Sequence, residues 1–236
     1  MRWFRRKTDD LAPDPPDPRT PWPEQEVPAD PEAAAQEFWQ TWFAMLPETN
    51  AALGDRAPQR VENDLAAAVA RLHPELHFSL ERGQRAIYAL VVSAQEDPAL
   101  RPYTDAWRAA APEEDAIWEY HDSVPPVPDP TEVTVNLGAH RIRLGDFRVG
   151  ATVDPGAGAV DVAVYHPQLA GLEEASRSAM TFLPLDAALG ERLAGRWLRR
   201  VEVVGTEPEE ALTLVEFRDL VRGLDRRDPE TVGGTD

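Results

Sequence analysis

Three stretches carry the residue types that most often do chemistry. His73-Pro-Glu-Leu-His77 places two histidines four apart with a carboxylate between them, Glu119, His121 and Asp122 gather acid and base within four residues, and Asp154-Pro-Gly156-Ala-Gly158 contains a G-x-G. Zinc hydrolysis would need H-E-x-x-H on one continuous helix. Here the glutamate is one place late, Pro74 interrupts any helix between the histidines, and two ligands fall short of the usual three or four; the stretch reads as a helix-to-strand corner. A nucleotide-binding G-x-G must open a helix, so that amide N–H groups meet phosphate. This one lies between two β-branched runs and reads as a hairpin turn. Glu119, His121 and Asp122 would serve a small-ligand site or a hydrolase if the fold gathered them at the rim of a sheet around a pocket.

Other catalytic patterns are weaker. Ser79, Ser93, Ser123, Ser176 and Ser178 sit in no G-x-S-x-G elbow. Glu113-Glu114-Asp115, Glu173-Glu174 and Glu209-Glu210 read as solvated or helix-end acids; the second and third pairs fall in expected first turns. Glycosidase carboxylates must instead face each other across a cleft. The chain has no cysteine, which removes disulfides, thiolate catalysis and Cys-ligated metal. The reading implies no cofactor and no metal; it favours a non-enzymatic protein and leaves enzyme activity open.

The feature best suited to binding is aromatic. Phe38, Trp39, Trp42, Phe43 and Leu46 recur at helical spacing in one broad stripe. Core packing is its ordinary use, but a stripe this broad can leave one side exposed. Trp39, Trp42 and Phe43 are therefore the candidate interaction residues, because tryptophan concentrates binding energy at interfaces.

The elements that would hold these residues follow from periodicity. A helix opens near Pro31 and closes at Pro47, and a second runs from Pro58 to Leu72. Leu76, Phe78 and Leu80 alternate as a strand with one wet face. Residues 86–92 form a central strand that is apolar on both faces. A helix over 98–111 and a strand over 116–120 come next. Residues 133–164 make two hairpins, read as one antiparallel meander. A long helix over 172–193 carries Ala175, Ala179, Phe182, Leu183, Leu189 and Leu193, a strand spans 197–204, and a last helix runs from Glu209 to Leu224. The order lacks regular βα alternation, which argues against a doubly wound nucleotide-binding sheet. No internal repeat is evident. The fold expected is α+β: a mostly antiparallel sheet with helices packed on one face, preceded by two N-terminal helices. It forms a single domain over 31–224, divided into a helical part (31–73) and a sheet-containing part (74–224), between tails at 1–30 and 225–236.

The 236 residues carry 24 basic and 42 acidic side chains, for a net charge of −18. Such a surface repels phosphate, which argues against nucleic acid and favours a basic protein partner. No run approaches a membrane span. Arg2, Trp3, Phe4, Arg5, Arg6 and Lys7 combine cations with aromatics and could make weak contact with an anionic membrane. No apolar stretch of a signal peptide follows them. The expected location is cytoplasmic.

Residues 87–204 also carry a set of linked motifs: Ala89-Leu-Val-Val-Ser-Ala-Gln-Glu-Asp-Pro-Ala-Leu100, Ala111-Pro112, Trp118-Glu-Tyr120, Asp161-Val-Ala-Val-Tyr165 and Phe182-Leu-Pro-Leu-Asp-Ala-Ala-Leu-Gly-Glu191. In combination they resemble an uncharacterised bacterial family of unknown function. Pro184 departs from the leucine-rich run of that pattern. The resemblance implies architecture and no activity, and within it Asp186, Gly190 and Glu191 stand out as polar positions. Gly190 is expected to cap a helix, with Asp186 or Glu191 satisfying nearby backbone donors. The function expected is a non-enzymatic protein-interaction module of adaptor, immunity or chaperone-like type. The alternative is a small-ligand-binding protein or hydrolase at Glu119, His121 and Asp122.

Overall fold

The computed structural model describes residues 27–138 and 140–227. The membrane contact read for Arg2, Trp3, Phe4, Arg5, Arg6 and Lys7 lies outside these residues. The described residues group into two compact units, divided between Ser123 and Val124.

In the first unit, Asp30 caps helix α1 (Pro31–Gly54) by accepting from the N–H groups of Glu32 and Ala33, with Pro31 in the first turn. The helix does not stop at Pro47. It continues for two more turns because Thr49, Ala52 and Leu53 are buried there, and that packing outweighs the hydrogen bond lost at proline. Helix α2 (Glu62–Leu72) buries Leu65, Ala68, Val69 and Leu72. Strands β1 (His77–Arg82) and β2 (Tyr88–Ser93) form an antiparallel hairpin. Helix α3 (Arg101–Ala109) then leads to β3 (Trp118–His121), which lies parallel to β2. Leu80, Leu90, Val92, Trp118 and Tyr120 belong to one core with the α1 aromatics. Trp39 stacks on Trp107 at 4.8 Å, and Trp42 meets Trp118 edge-on at 4.8 Å.

In the second unit, β4 (Thr134–Leu137) and β5 (His140–Arg143) make a two-stranded ladder of their own. A 3₁₀ turn at Leu144–Asp146 separates it from β6 (Arg148–Asp154) and β7 (Ala159–Tyr165), so the expected four-strand meander is two separate hairpins. Helix α4 (Glu174–Trp197) leads to β8 (Leu198–Val203), parallel to β7. Helix α5 (Leu214–Asp225) starts five residues later than its apolar pattern suggests, at a capping box in which Thr213 and Glu216 bond reciprocally. Glu209 and Glu210 therefore precede the helix instead of forming its first turn, and Asp225 lies inside it.

Each unit thus contains a hairpin, a crossover helix and a third strand parallel to the second, with strand orders β1-β2-β3 and β6-β7-β8. The similarity leaves no repeat in the sequence, because α3 has 9 residues and α4 has 24, with no common spacing. The fold is α+β with mostly antiparallel pairing. Among the described residues no helix is long and apolar enough to cross a membrane.

Candidate functional site

The geometry around Glu119 is that of a structural anchor. Its carboxylate is 1 % exposed and accepts from the backbone N–H groups of Gln84 at 2.7 Å, Arg85 at 2.8 Å and Ala86 at 3.1 Å. The same carboxylate receives Nε2 of His121 at 3.1 Å. Burial alone would raise this carboxyl, but the Gln84 amide, the His121 ring and the Arg85 and Ala86 amides outweigh it and hold the group at about 2. A carboxylate so committed ties the hairpin turn to β3 and is a poor proton carrier near neutral pH. The Ser123 hydroxyl donates to Asp122 at 3.1 Å. A hydrogen bond joins Glu119 to His121.

The histidine pair of the first motif is also divided. His73 is buried at the end of α2, and its Nδ1 accepts from the Glu75 N–H at 3.2 Å, while His77 is exposed on β1. The same turn recurs at His166-Pro-Gln-Leu169. There Nδ1 of buried His166 accepts from the Gln168 N–H at 3.1 Å, and the ring lies 4.6 Å from Phe147. Among the described residues no group of three metal-ligating side chains exists. In the Asp154–Gly158 turn, Asp154 caps the N–H groups of Gly156 and Ala157 between β6 and β7, as a hairpin requires.

The aromatic stripe of α1 is mostly interior. Trp39 and Trp42 are buried, with their indole N–H groups bonded to Trp107 O at 2.8 Å and Tyr120 Oη at 3.3 Å. Only Phe43 of the three candidates faces solvent, at 54 %. Trp39 and Trp42 therefore cannot touch a partner in the folded protein: a two-tryptophan contact with α3 and β3 decides their side.

Asp186, Gly190 and Glu191 lie where α4 breaks. Gly190 has φ +72° and ψ 168°, an extended left-sided conformation and not the αL cap expected of it. The Glu191 N–H leaves the helix ladder for Val124 O at 2.9 Å, and its buried carboxylate accepts from the Val124 N–H at 3.0 Å. The Ala187 carbonyl, freed by the break, accepts from the Val127 N–H at 2.9 Å. Arg218, which sequence reading did not single out, completes the junction. Its buried guanidinium donates to Ala188 O at 2.6 Å, Val127 O at 2.5 Å and Pro128 O at 2.9 Å. A cation over the last carbonyls of a helix segment satisfies acceptors the break leaves open. Asp186 is exposed on the outer side of the same helix.

That outer side differs most from expectation. The segment from Glu174 to the break buries Met180, Thr181, Pro184, Leu185, Ala188 and Leu189. Of the apolar residues expected on this helix, Leu189 is buried, but Ala175 and Ala179 are exposed, Phe182 is 49 % exposed and Leu183 is 37 % exposed. The exposed four form one stripe at i, i+4, i+7 and i+8. A second feature is an open groove of about 440 Å³ on the outer face of β6–β8. The cross-strand pair Gly150 and Ala163 forms its floor, with Pro208 beside them. Its charged rim is largely paired internally, Asp161 with Arg199 and Arg200 with Glu202.

No protein-family model, curated protein or solved structure matches the chain. The motifs over 87–204 therefore contribute nothing to the assignment of function.

Proposed function

We propose that the protein is a non-enzymatic interaction module of the cytoplasm, of the adaptor, immunity or chaperone-like kind, that binds a basic protein partner. The observation that carries this reading is the exposed apolar stripe of α4, centred on Phe182 and Leu183. Large apolar side chains grouped on the outside of a helix leave hydrophobic area uncovered, which association would bury. The net charge of −18 supplies a field that speeds encounter with a cationic surface and disfavours nucleic acid.

The test is photo-crosslinking in low-salt lysate, with a photoreactive residue at Ala179 of the full chain and capture followed by mass spectrometry. A crosslinked protein partner is expected from the wild type and is expected to vanish with Phe182→Ser/Leu183→Ser. Recovery of the same partner from both would remove α4 as the docking surface. No protein crosslink in either sample would sink the reading.

A further inference from the structure

We infer that the free edge of β8 pairs antiparallel with β8 of a second copy of this chain, joining two three-stranded sheets about a two-fold axis. The two edges of the β6-β7-β8 sheet differ. At β6, Val149 exchanges both backbone hydrogen bonds with Leu212, at 2.9 and 2.8 Å, which closes that edge locally. At β8, the Val204 N–H donates to Val164 O at 3.0 Å and fixes which way the backbone groups of the strand point. These groups alternate sides along a strand, and the β7–β8 register is unbroken from Asp161 to Val164. Arg200, Glu202 and Val204 therefore turn theirs toward β7, while Val201 and Val203 turn theirs outward. Among the described residues no strand or bridge partner lies on that outward side. Burial agrees: no residue of β8 is buried, whereas Ala159, Val160, Val162 and Val164 of β7 are. Val203 is 39 % exposed although it pairs with fully buried Val164 on the core-facing side. Unpaired groups beside half-covered valines form a template for another strand.

The side chains of β8 say which strand fits. Arg200 and Glu202 stand on the outer face, beside Asp161 and Ala163, and Val201 stands on the inner one, beside Val162. A two-fold axis that joins two sheet edges is perpendicular to the sheet, so each residue meets one from its own face. With Val201 opposite Val201 of the second copy, the two exchange both outward backbone bonds. The flanking positions, where side chains come closest, then hold Arg200 against Glu202 on both sides of the axis. Valines continue the inner face, and opposite charges alternate along the outer one. The two side chains already meet within one copy, where Arg200 donates to Glu202 at 2.9 Å. Centring the axis on Arg200 or on Glu202 instead sets two arginines or two glutamates face to face, so charge selects the register centred on Val201.

Six residues per strand bury less than the roughly 1,600 Å² of a standard interface, and a net charge of −18 on each copy opposes association. The dimer is therefore a weak one, favoured at about 0.15 M salt, where charges more than about 8 Å apart are screened and contacting pairs much less.

Sedimentation velocity of the full chain, from about 5 to 500 µM in that salt, tests the pairing. The wild type is expected to pass from monomer to dimer. Arg200→Glu and Glu202→Arg, each of which opposes like charges twice, are expected to weaken the dimer by about ten-fold or more. Arg200→Glu/Glu202→Arg restores opposite charges and is expected to recover it. Both positions are exposed, and circular dichroism verifies that the variants remain folded. Hydrogen exchange supplies a second readout: the Val201 amide should gain protection as concentration rises, while those of Glu202 and Val204, bonded to β7, are protected throughout. Phe182→Ser/Leu183→Ser should leave the dimer intact, since β8 and not the α4 stripe makes it. A wild type that stays monomeric, single variants that dimerise as well as the wild type, or a charge swap that does not recover the dimer overturns the inference. A dimer that leaves the Val201 amide unprotected, or that is lost with the α4 variant, overturns it as well.

Discussion

Glu119 shows how a charged side chain can be fixed by the backbone around it. Its folded carboxyl titrates at about 2 against an ordinary 4.5, because the Gln84, Arg85 and Ala86 amides and the His121 ring overcome the cost of burial. The folded value lies below the unfolded one, so the stabilisation is complete above pH 4.5 and is lost as pH falls toward 2. That difference corresponds to about 3 kcal/mol. Glu119→Gln retains one acceptor oxygen and turns an NH₂ group toward N–H donors that had used the other. It should cost about 2–4 kcal/mol at neutral pH. Urea melts of the variant should also lose the steep acid limb between pH 4.5 and 2, and an unchanged limb would contradict the anchoring role.

His166 is the converse case. Burial holds its imidazole below the ordinary 6.5, with Asp146 pulling weakly the other way. Nδ1 accepts from Gln168, so the neutral ring carries its proton on Nε2, which is buried without a hydrogen-bond partner. The stabilisation is full above pH 6.5 and declines as pH falls below it, because the unfolded chain takes up the proton first. His166→Asn keeps an acceptor for the turn and removes the titration. Its stability, followed by thermal melts at successive pH values, should not show the wild-type decline below pH 6.5.

At the scale of elements, α1 and α4 are both long helices with an internal proline, and packing treats them differently. Beyond Pro47, α1 continues over buried Thr49, Ala52 and Leu53. Trp42→Ala should cost about 3–5 kcal/mol, because it empties a fully buried contact with Trp118 and Tyr120. Phe43→Ser, one residue on, should leave stability within about 0.5 kcal/mol. Chemical denaturation of the two variants distinguishes core from surface within one turn. In α4 the break at Gly190 admits the Val124–Val127 segment. A methyl group there would stand 2.7 Å from Pro126 Cδ and 2.9 Å from Val124 O, on a backbone that disfavours side chains. Gly190→Ala should therefore destabilise the protein by about 3 kcal/mol or more, measured as a lower urea midpoint. A small effect would mean that the segment can move away without loss.

At the scale of the molecule, the chain uses the same hairpin, crossover and parallel strand in both units, with α1 and α2 preceding the first and α5 closing the second. Much of this was legible locally. The strands at 77–82, 88–93 and 159–165 follow from alternating or continuous apolar runs, and the Asp154–Gly158 hairpin follows from its turn residues. The α+β class and the acidic charge likewise belong to composition and order. The sequence did not reveal which side of an apolar helix faces inward. Trp39, Trp42 and Phe43 share one stripe, and only the stacking of Trp39 on Trp107 and of Trp42 against Trp118 decides that Phe43 is left outside. Phe182 and Leu183 look like core by hydropathy, but Leu185, Ala188 and Leu189 win the interior of α4. Arg218 carries no local signal, because its partners are the carbonyls of Val127, Pro128 and Ala188, far away in sequence. Local periodicity and turn chemistry are short-range and determine the elements; burial is a competition among distant side chains for one interior, and only the tertiary structure decides it.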